Sequence, residues 1–163
     1  MKNMLFGVIF GISVATMGTL PSAWAQSDPV ILTIDGAIAG GTPVDFTRAE
    51  LEAIGSATIA TTTPWSDGTT TFEGVPMSAL LAHIGATGET ADVLALNNYR
   101  TSVPVADFSA YPVILALKKN GEYMAVRDKG PLFIIYPFDD FEELRADIYY
   151  SRSAWQVRSM TIK

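Results

Sequence analysis

The chain has 163 residues, no cysteine, 11 Lys and Arg against 17 Asp and Glu, and a hydrophobic share of 48%. This length fits one domain, or one domain plus a processed tail, and the apolar share excludes intrinsic disorder as the main state. The lack of cysteine excludes disulfides, thiolate metal sites and cysteine nucleophiles, and the net charge of −6 argues against nucleic-acid binding.

The first 25 residues have the pattern of a secretory signal peptide. Lys2 supplies the positive start, an uncharged and mostly apolar run extends from Leu5 to Leu20, and Ala23-Trp24-Ala25 is a small-x-small cleavage site. The run is shorter than the roughly 20 residues that a membrane-spanning helix needs. We therefore expect residues 1–25 to be removed on export to a bacterial periplasm, and residues 26–163 to form the mature domain.

From Val30 onward the pattern predicts short strands interrupted by a few short helices. Strands are predicted at residues 30–34, 58–63, 69–72, 93–96, 101–103, 113–117, 123–126, 132–136 and 154–162. A capping box formed by Thr47 and Glu50 opens one helix, and an apolar stripe from Met77 to Ile84 predicts a second. Residues 141–146 read as a short acidic helical turn. Because strands are not regularly followed by helices, the sequence predicts a single α+β domain.

Three segments of this pattern carry further expectations. Asn120-Gly121 between two apolar runs is a strong hairpin signal. The fully apolar segment 132–136 is expected to be a central strand. The last strand alternates from Ala154 to Ile162, which places Trp155, Val157, Ser159 and Thr161 on one face.

The usual sets of catalytic side chains are missing from the sequence. The one histidine, His83, lies off the apolar stripe of its helix, which is more typical of a solvated side chain than of a metal ligand or a base. The acidic residues Asp139, Asp140, Glu142 and Glu143 have no EF-hand spacing and are more typical of a solvated helix start than of a calcium site.

Three polar segments that contain aromatic or cationic residues indicate a binding cleft. Trp65 lies in a polar loop, where it could stack on a flat ring or pack against the loop. Segment 126–131 places Arg127 and Lys129 before Gly130, either for close approach of a partner or as a charged turn with an internal Arg–Asp pair. In segment 149–155, Arg152 could grip a planar or anionic group or pair with a carboxylate. Together they favour a cleft for a flat, polar small molecule.

The order of several motifs resembles the oxidoreductase molybdopterin-binding domain, which has the sulfite-oxidase fold. The matching motifs are Phe72-Glu73-Gly74-Val75-Pro76-Met77-Ser78-Ala79-Leu80-Leu81, Tyr99 to Pro104, Lys118 to Glu122, Lys129-Gly130-Pro131-Leu132 through Tyr136-Pro137, and Arg152-Ser153. The resemblance spans residues 30–163 and implies a mixed, barrel-like β-sheet fold.

The resemblance also implies which part of the family's chemistry is missing here. In that family, molybdenum is held by two pterin sulfurs and by one protein cysteine, on the loop after the strand that corresponds to residues 58–63. In this chain Thr61 to Thr63 fill that place, and Phe133 stands where many members carry an arginine. Hydroxyls are poor substitutes for a soft thiolate ligand. The resemblance therefore implies a cleft that keeps a pterin without the usual metal ligand.

A closer resemblance is to short, cysteine-free exported proteins of this fold, which include periplasmic pterin-binding proteins. These proteins work with membrane-bound enzymes that make or degrade cyclic di-GMP. The resemblance implies a non-catalytic pterin-binding protein, without another cofactor, whose ligand state is read by the periplasmic part of such a sensor enzyme. The alternative is a molybdopterin-dependent oxidoreductase, or a subunit of one, that lacks the cysteine ligand.

On this hypothesis the pterin is held by aromatic stacking and by polar contacts. Trp65 and either Tyr149 or Tyr150 would stack on the ring. The other predicted ligand-binding residues are polar or charged: Thr62, Asn97, Tyr99, Arg127, Lys129, Ser151 and Arg152. No catalytic residue and no metal ligand is predicted.

Overall fold

The structure is a computed structural model that describes residues 28–163. The predicted signal peptide, residues 1–25, lies outside the described residues. Across residues 28–163, the helices are all too short or too polar to cross a membrane.

Within the described residues the chain forms ten β-strands and four α-helices. The strands are β1 (Val30–Gly36), β2 (Val44–Thr47), β3 (Ala57–Thr63), β4 (Ser66–Pro76), β5 (Thr90–Ala95), β6 (Arg100–Pro104), β7 (Ile114–Lys119), β8 (Glu122–Tyr123), β9 (Phe133–Ile135) and β10 (Val157–Ile162). The α-helices are α1 (Arg48–Ile54), α2 (Met77–His83), α3 (Val105–Ala110) and α4 (Asp147–Arg152). Two single 3₁₀ turns lie at Val126–Asp128 and Glu142–Leu144.

The strands pair into two sheets. The first sheet has the order β2-β1-β10-β5-β6, with β1 and β10 parallel and the other neighbours antiparallel. The second sheet has the order β3-β4-β7-β8, and β9 also pairs with β7. The predicted α+β class is confirmed. The barrel-like arrangement that the resemblance implied is wrong, because the described strands form two separate sheets.

Local sequence signals explain where the first two helices begin. Glu50 Oε2 accepts a hydrogen bond from Thr47 N at 2.7 Å, and Thr47 Oγ1 accepts from Glu50 N at 3.3 Å, which confirms the capping box. Helix α2 follows Pro76 and buries Met77 and its apolar stripe, as predicted. His83, at the end of α2, is exposed, in line with its position off that stripe.

Within the second sheet, β7 and β9 are buried on both faces. In β7, Leu115 and Leu117 belong to the main core, whereas Ile114 and Ala116 belong to a smaller apolar cluster on the opposite face. This arrangement explains why β7 and β9 are nearly continuous apolar runs. β9 is shorter than the predicted central strand. It pairs with β7, and an isolated bridge also joins Phe133 to Trp155.

The close packing of two strands in this sheet explains the glycine at position 74. The β4–β7 register shifts between Glu73 and Gly74, and a Cβ atom at Gly74 would lie only 2.1 Å from the carbonyl oxygen of Leu115. Any larger residue would push the two strands apart, so the glycine is required by the close approach of the two backbones.

The structure corrects the prediction for the end of the chain. A register shift between Val157 and Ser159 changes the phase of β10, so Val157, Met160 and Ile162 are all buried and the single alternation from residue 154 is wrong. Residues 147–152, predicted in part as the entry to this strand, form helix α4 instead. Helix α4 has no side-chain cap at its start, so its most common sequence signal is missing.

Candidate functional site

The three threonines at the end of β3, the place where the sequence resemblance implies a cysteine in other proteins, all use their hydroxyls within the protein. Thr61 is fully buried, and its Oγ1 accepts a hydrogen bond from Asp139 N at 3.1 Å. Thr62 Oγ1 donates to Asp139 Oδ1 at 2.6 Å, and Thr63 Oγ1 lies 2.8 Å from Ser66 Oγ. The end of β3 therefore presents hydroxyls that already have partners.

Asp139 holds this segment in place. Its carboxylate also accepts from Thr62 N at 2.7 Å and from Arg145 Nη2 at 3.0 Å. The hydrogen bond from the Thr62 hydroxyl, followed by the other donors, lowers the pKa of Asp139 below its ordinary value of 3.8. Asp139 thus has a structural role, and no group of three or more metal-ligating side chains occurs among residues 28–163.

Trp65 is the centre of an aromatic group that we call the Trp65 cluster: Trp65, Phe133, Phe138, Tyr150 and Trp155. The ring centroids of Phe133 and Trp155 lie 5.6 Å from that of Trp65, and the Tyr150 and Phe138 rings lie at 6.0 and 6.4 Å. Trp65 is half-buried and packs against both apolar clusters of the protein. Trp65 is therefore a packed side chain with one accessible part. This state lies between the two alternatives from the sequence, stacking on a flat ring and packing against the loop.

Little free space remains beside Trp65. A crevice between Trp65, Phe133 and Lys129 has a volume of about 10 Å³, which is room for about one water molecule. A planar heterocycle can enter here only if a side chain at its entrance moves.

Lys129 is one of the side chains that line this crevice. Its ammonium lies 4.5 Å from the ring centroid of Trp155, in cation–π geometry. Lys129 itself has a left-handed backbone conformation with φ of 74°, and Gln156 N donates to its carbonyl oxygen at 3.0 Å. The partly exposed face of Trp155 is thus covered by a flexible cation.

The glycine beside Lys129 has a different role from the one expected. A Cβ atom at Gly130 would lie 2.0 Å from the carbonyl oxygen of Met124, so the close approach is to the protein's own backbone. Arg127 forms the internal pair that the sequence left open, with Nε 3.3 Å from Asp128 Oδ2, and its side chain is 88% exposed.

Arg152 belongs to a second group, the Asp107 cluster: Asp107, Tyr111, Tyr136, Tyr149 and Arg152. Arg152 Nη1 donates to Asp107 Oδ2 at 2.9 Å, and Tyr136 Oη donates to the same oxygen at 2.7 Å. Burial, followed by this hydrogen bond, raises the pKa of Tyr136 far above its ordinary value. Of the two alternatives for Arg152, the structure shows the pair with a carboxylate, which ties α4 to α3.

Two tyrosines extend this cluster toward the surface. The Tyr149 ring lies 5.2 Å from the Arg152 guanidinium and 5.9 Å from the Tyr111 ring. A hydrogen bond with Tyr149, together with desolvation, raises the pKa of Tyr111 to about 12. Tyr149 is therefore turned toward Tyr111 and Tyr136, whereas its neighbour Tyr150 is turned toward Trp65.

The remaining predicted residues join α4 to the turn between β5 and β6. Tyr99 Oη donates to the carbonyl oxygen of Ser151 at 2.7 Å, and Asn97 Oδ1 accepts from Tyr99 N at 3.0 Å. Ser151 Oγ donates to the carbonyl oxygen of Ile148 within α4.

Most of the predicted residues separate into three places that are connected through α4: the Trp65 cluster with Lys129, the Asp107 cluster, and the β5–β6 turn. Thr62 and the exposed Arg127 lie outside these three places. The rings of Trp65 and Tyr150 are in contact, and the Thr62 hydroxyl, at the end of β3, is hydrogen-bonded to Asp139. Sequence reasoning did not identify Asp107, whose only signal is a carboxylate in an otherwise apolar stretch after Pro104.

Comparison with known proteins identifies the family. Residues 28–138 match the model of the oxidoreductase molybdopterin binding domain. This match covers more than half of the chain, and the protein therefore belongs to that family. A search of curated proteins gave no match.

A solved structure shows the same fold. The sulfane dehydrogenase SoxCD from Paracoccus pantotrophus aligns with a TM-score of 0.59 and 19% sequence identity, over 80% of this chain and 37% of that chain. At this identity the likeness concerns the fold alone, and this chain spans little more than a third of the SoxCD chain.

The residues present do not fit the metal part of the family's cofactor. The sequence resemblance implies a soft cysteine sulfur as the protein ligand of molybdenum, and the chain contains no cysteine. The hydroxyls at that place are buried or hydrogen-bonded within the protein. A pterin ring needs only an aromatic face and hydrogen-bonding groups, which Trp155 and Lys129 offer.

Proposed function

We propose that this protein is a non-catalytic, periplasmic pterin-binding member of the molybdopterin-binding family. The observation that carries the proposal is the state of Thr61, Thr62 and Thr63. Their hydroxyls are hydrogen-bonded to Asp139 and Ser66 at the place of the family's thiolate. An aromatic cluster with a cation lies next to this place, so a ring can bind where a metal lacks its protein ligand.

The proposed binding mode uses Trp155 as the stacking surface. Lys129 swings away from the Trp155 face, the pterin ring takes its place, and the Lys129 ammonium donates to the ring carbonyl. Trp65 and Tyr150 then contact the edge of the ring. Arg152 acts through Asp107, as a positioning residue that fixes α4.

The energy required for this mode is moderate. A dissociation constant of about 1 μM corresponds to about −8 kcal/mol. One stacked aromatic face, a few hydrogen bonds and one charge-assisted bond are sufficient for such a value.

Reporting to a membrane partner completes the proposal. The partner would be the periplasmic part of a membrane-bound enzyme that makes or degrades cyclic di-GMP. For the signal to pass, this partner must have different affinities for the free and the pterin-bound protein. The support for this part is the motif resemblance of the segments around Trp65, Lys129 and Arg152.

A fluorescence titration tests the binding. In residues 26–163 the indoles are Trp65 and Trp155, so quenching by oxidised or tetrahydropterin reports on the proposed site. We expect saturable quenching with a dissociation constant of about 1–10 μM. Lys129→Met should weaken binding about tenfold, through loss of the charge-assisted bond.

The matched control is Lys118→Met. Lys118 lies 4.8 Å above the Tyr123 ring, in an equivalent cation–π contact outside the proposed site, and its loss should leave the titration unchanged. Absence of saturable quenching, or equal loss in both lysine variants, would refute the binding proposal.

The alternative is a molybdopterin-dependent oxidoreductase or subunit without a protein thiolate, which the family match favours. Metal analysis of protein purified from its native periplasm separates the two functions. Stoichiometric molybdenum together with measurable turnover would overturn the non-catalytic proposal.

A further inference from the structure

An apolar groove lies at one end of the first sheet, next to the loop that carries Lys129. It runs between the start of β1, the end of β5 and the segment from Val126 to Pro131. Its lining includes Val30, Leu32, Leu96, Val126, Val157 and Arg158.

The walls of this groove are unusually exposed for large apolar residues. Val30 is 54% exposed, Leu96 44% and Val126 52%, whereas Leu32 and Val157 are fully buried and form the floor. Exposed apolar residues that converge on one concave surface are typical of a binding site for another molecule.

Two walls of the groove are hydrogen-bonded to the same residue. Gln156 accepts from Leu96 N at 2.8 Å through its carbonyl oxygen, and its Nε2 donates to the carbonyl oxygen of Val126 at 2.7 Å. The two walls therefore keep a fixed separation before any partner arrives, which lowers the entropic cost of binding.

The size of the groove selects the kind of occupant. Its volume is about 230 Å³, below the roughly 300–1,000 Å³ of typical small-molecule pockets. This volume suits one large apolar side chain that projects from a protein surface. A lipid bilayer is a poorer match, because membrane-binding surfaces insert protruding apolar side chains.

The charges at the groove favour an acidic partner. Arg158 is the only charged residue in the lining, and no ion pair joins it to a carboxylate within residues 28–163. A symmetric contact between the grooves of two copies of this chain would place two Arg158 side chains close together, which is unfavourable.

We propose that this groove is the docking surface for a partner protein that inserts an apolar side chain flanked by carboxylates. One carboxylate would pair with Arg158, and the apolar side chain would lie between Leu96 and Val126.

The proposal deepens the proposed function, since it rests on the same expectation of a protein partner. Gln156 connects the two sites, because its N–H donates to the carbonyl of Lys129 while its side chain and carbonyl hold the groove walls.

The test uses random peptides displayed on phage and selected against immobilised residues 26–163 without any pterin. We expect the selected peptides to share an apolar residue flanked by Asp or Glu. Measured by fluorescence anisotropy, a selected peptide should bind Leu96→Asp at least about tenfold more weakly. Arg158→Glu should change the preferred flanking residues to Lys or Arg.

The matched control is Ile148→Asp, at an aliphatic side chain that is 53% exposed and lies outside the groove lining. It should bind the selected peptides like the parent protein. A basic or charge-free consensus, no enrichment at all, or equal losses in Leu96→Asp and Ile148→Asp would overturn the proposal.

Two further measurements identify the other occupants. Co-sedimentation with anionic phospholipid vesicles, or dimerisation in analytical ultracentrifugation, in either case abolished by Leu96→Asp, would assign the groove to a membrane or to a second copy and overturn the proposal. Because the selection contains no pterin, success here with a failed pterin titration would reject ligand binding and leave the docking surface supported.

Discussion

The Trp65 cluster and the Asp107 cluster both depend on helix α4, yet different forces hold them. Around Trp65 the contacts are between aromatic rings, with centroids 5.6 to 6.4 Å apart. Around Asp107 one carboxylate oxygen accepts two hydrogen bonds of 2.7 and 2.9 Å, from Tyr136 and Arg152. Ring contacts can be exchanged for contacts with another ring, whereas a buried charge cannot lose its partner cheaply.

This difference assigns distinct roles to neighbouring residues of one helix. Tyr150 faces the adaptable cluster, where a flat ligand can be accommodated by small movements. Arg152 faces the fixed cluster and holds the helix in place. Sequence adjacency in segment 149–155 therefore does not mean a shared role.

The largest expected effect is that of Asp107→Ala. The substitution leaves the buried Arg152 guanidinium and the Tyr136 hydroxyl without their acceptor, so the free energy of unfolding should fall by about 3–5 kcal/mol. Urea unfolding followed by circular dichroism measures this change.

The control for this prediction is Asp92→Ala. Asp92 pairs with Lys163 at 2.6 Å, but the two side chains are 37% and 64% exposed. Its loss should cost less than about 1 kcal/mol. Equal costs for the two variants would show that the Asp107 cluster is no more fixed than a surface pair.

A smaller effect is expected for Trp65→Phe. The shorter ring keeps part of the aromatic contacts, and the cluster can close around it, so unfolding should become easier by about 1 kcal/mol. The same denaturation experiment gives the value. A loss as large as that of Asp107→Ala would contradict the view that the Trp65 cluster is adaptable.

The smallest effect concerns Asp139 and depends on pH. The folded protein lowers the pKa of Asp139, so its contribution to stability is present above 3.8 and is lost as the pH falls below 3.8. Asp139→Asn should therefore be less stable than the parent protein at neutral pH, and the difference should shrink on acidification.

Urea unfolding at a series of pH values measures this convergence. The same substitution at the exposed neighbour Asp140 serves as the control for the chemical change itself. A gap between Asp139→Asn and the parent protein that stays constant with pH would argue against the role of the Asp139 carboxylate.

Local signals in the sequence predicted much of the fold. The Thr47–Glu50 capping box and the apolar stripe of α2 correspond to observed helices. Asn120 and Gly121 both have positive φ in the predicted hairpin. These features depend on neighbouring residues only, so a single sequence is sufficient to recognise them.

Features that depend on distant residues could not be predicted in this way. The β-bulge near Ser159 reverses the alternation of β10. It arises from the pairing of β10 with β5, and no pattern within residues 157–162 predicts it. The Arg152–Asp107 pair joins residues 45 positions apart. The sequence offered a carboxylate partner for Arg152 as one of two alternatives but could not say which carboxylate.

For the candidate site, the sequence singled out polar segments and offered an internal Arg–Asp pair as one alternative, but it did not show most of the contacts that these segments make within the protein. Arg127 pairs with its neighbour Asp128, while Gly130 approaches the backbone of Met124 instead of a ligand. Thr62 and Tyr99 likewise bind groups of the protein itself.

The position of β10 also constrains how the chain can reach its folded state. β10 is the last strand along the chain, yet it lies in the middle of the first sheet, between β1 and β5. β1 and β5 can therefore be joined in this sheet only when β10, near the end of the described chain, is available to pair with both. Such long-range pairing slows folding, so we expect the first sheet to be completed late in the folding of the domain.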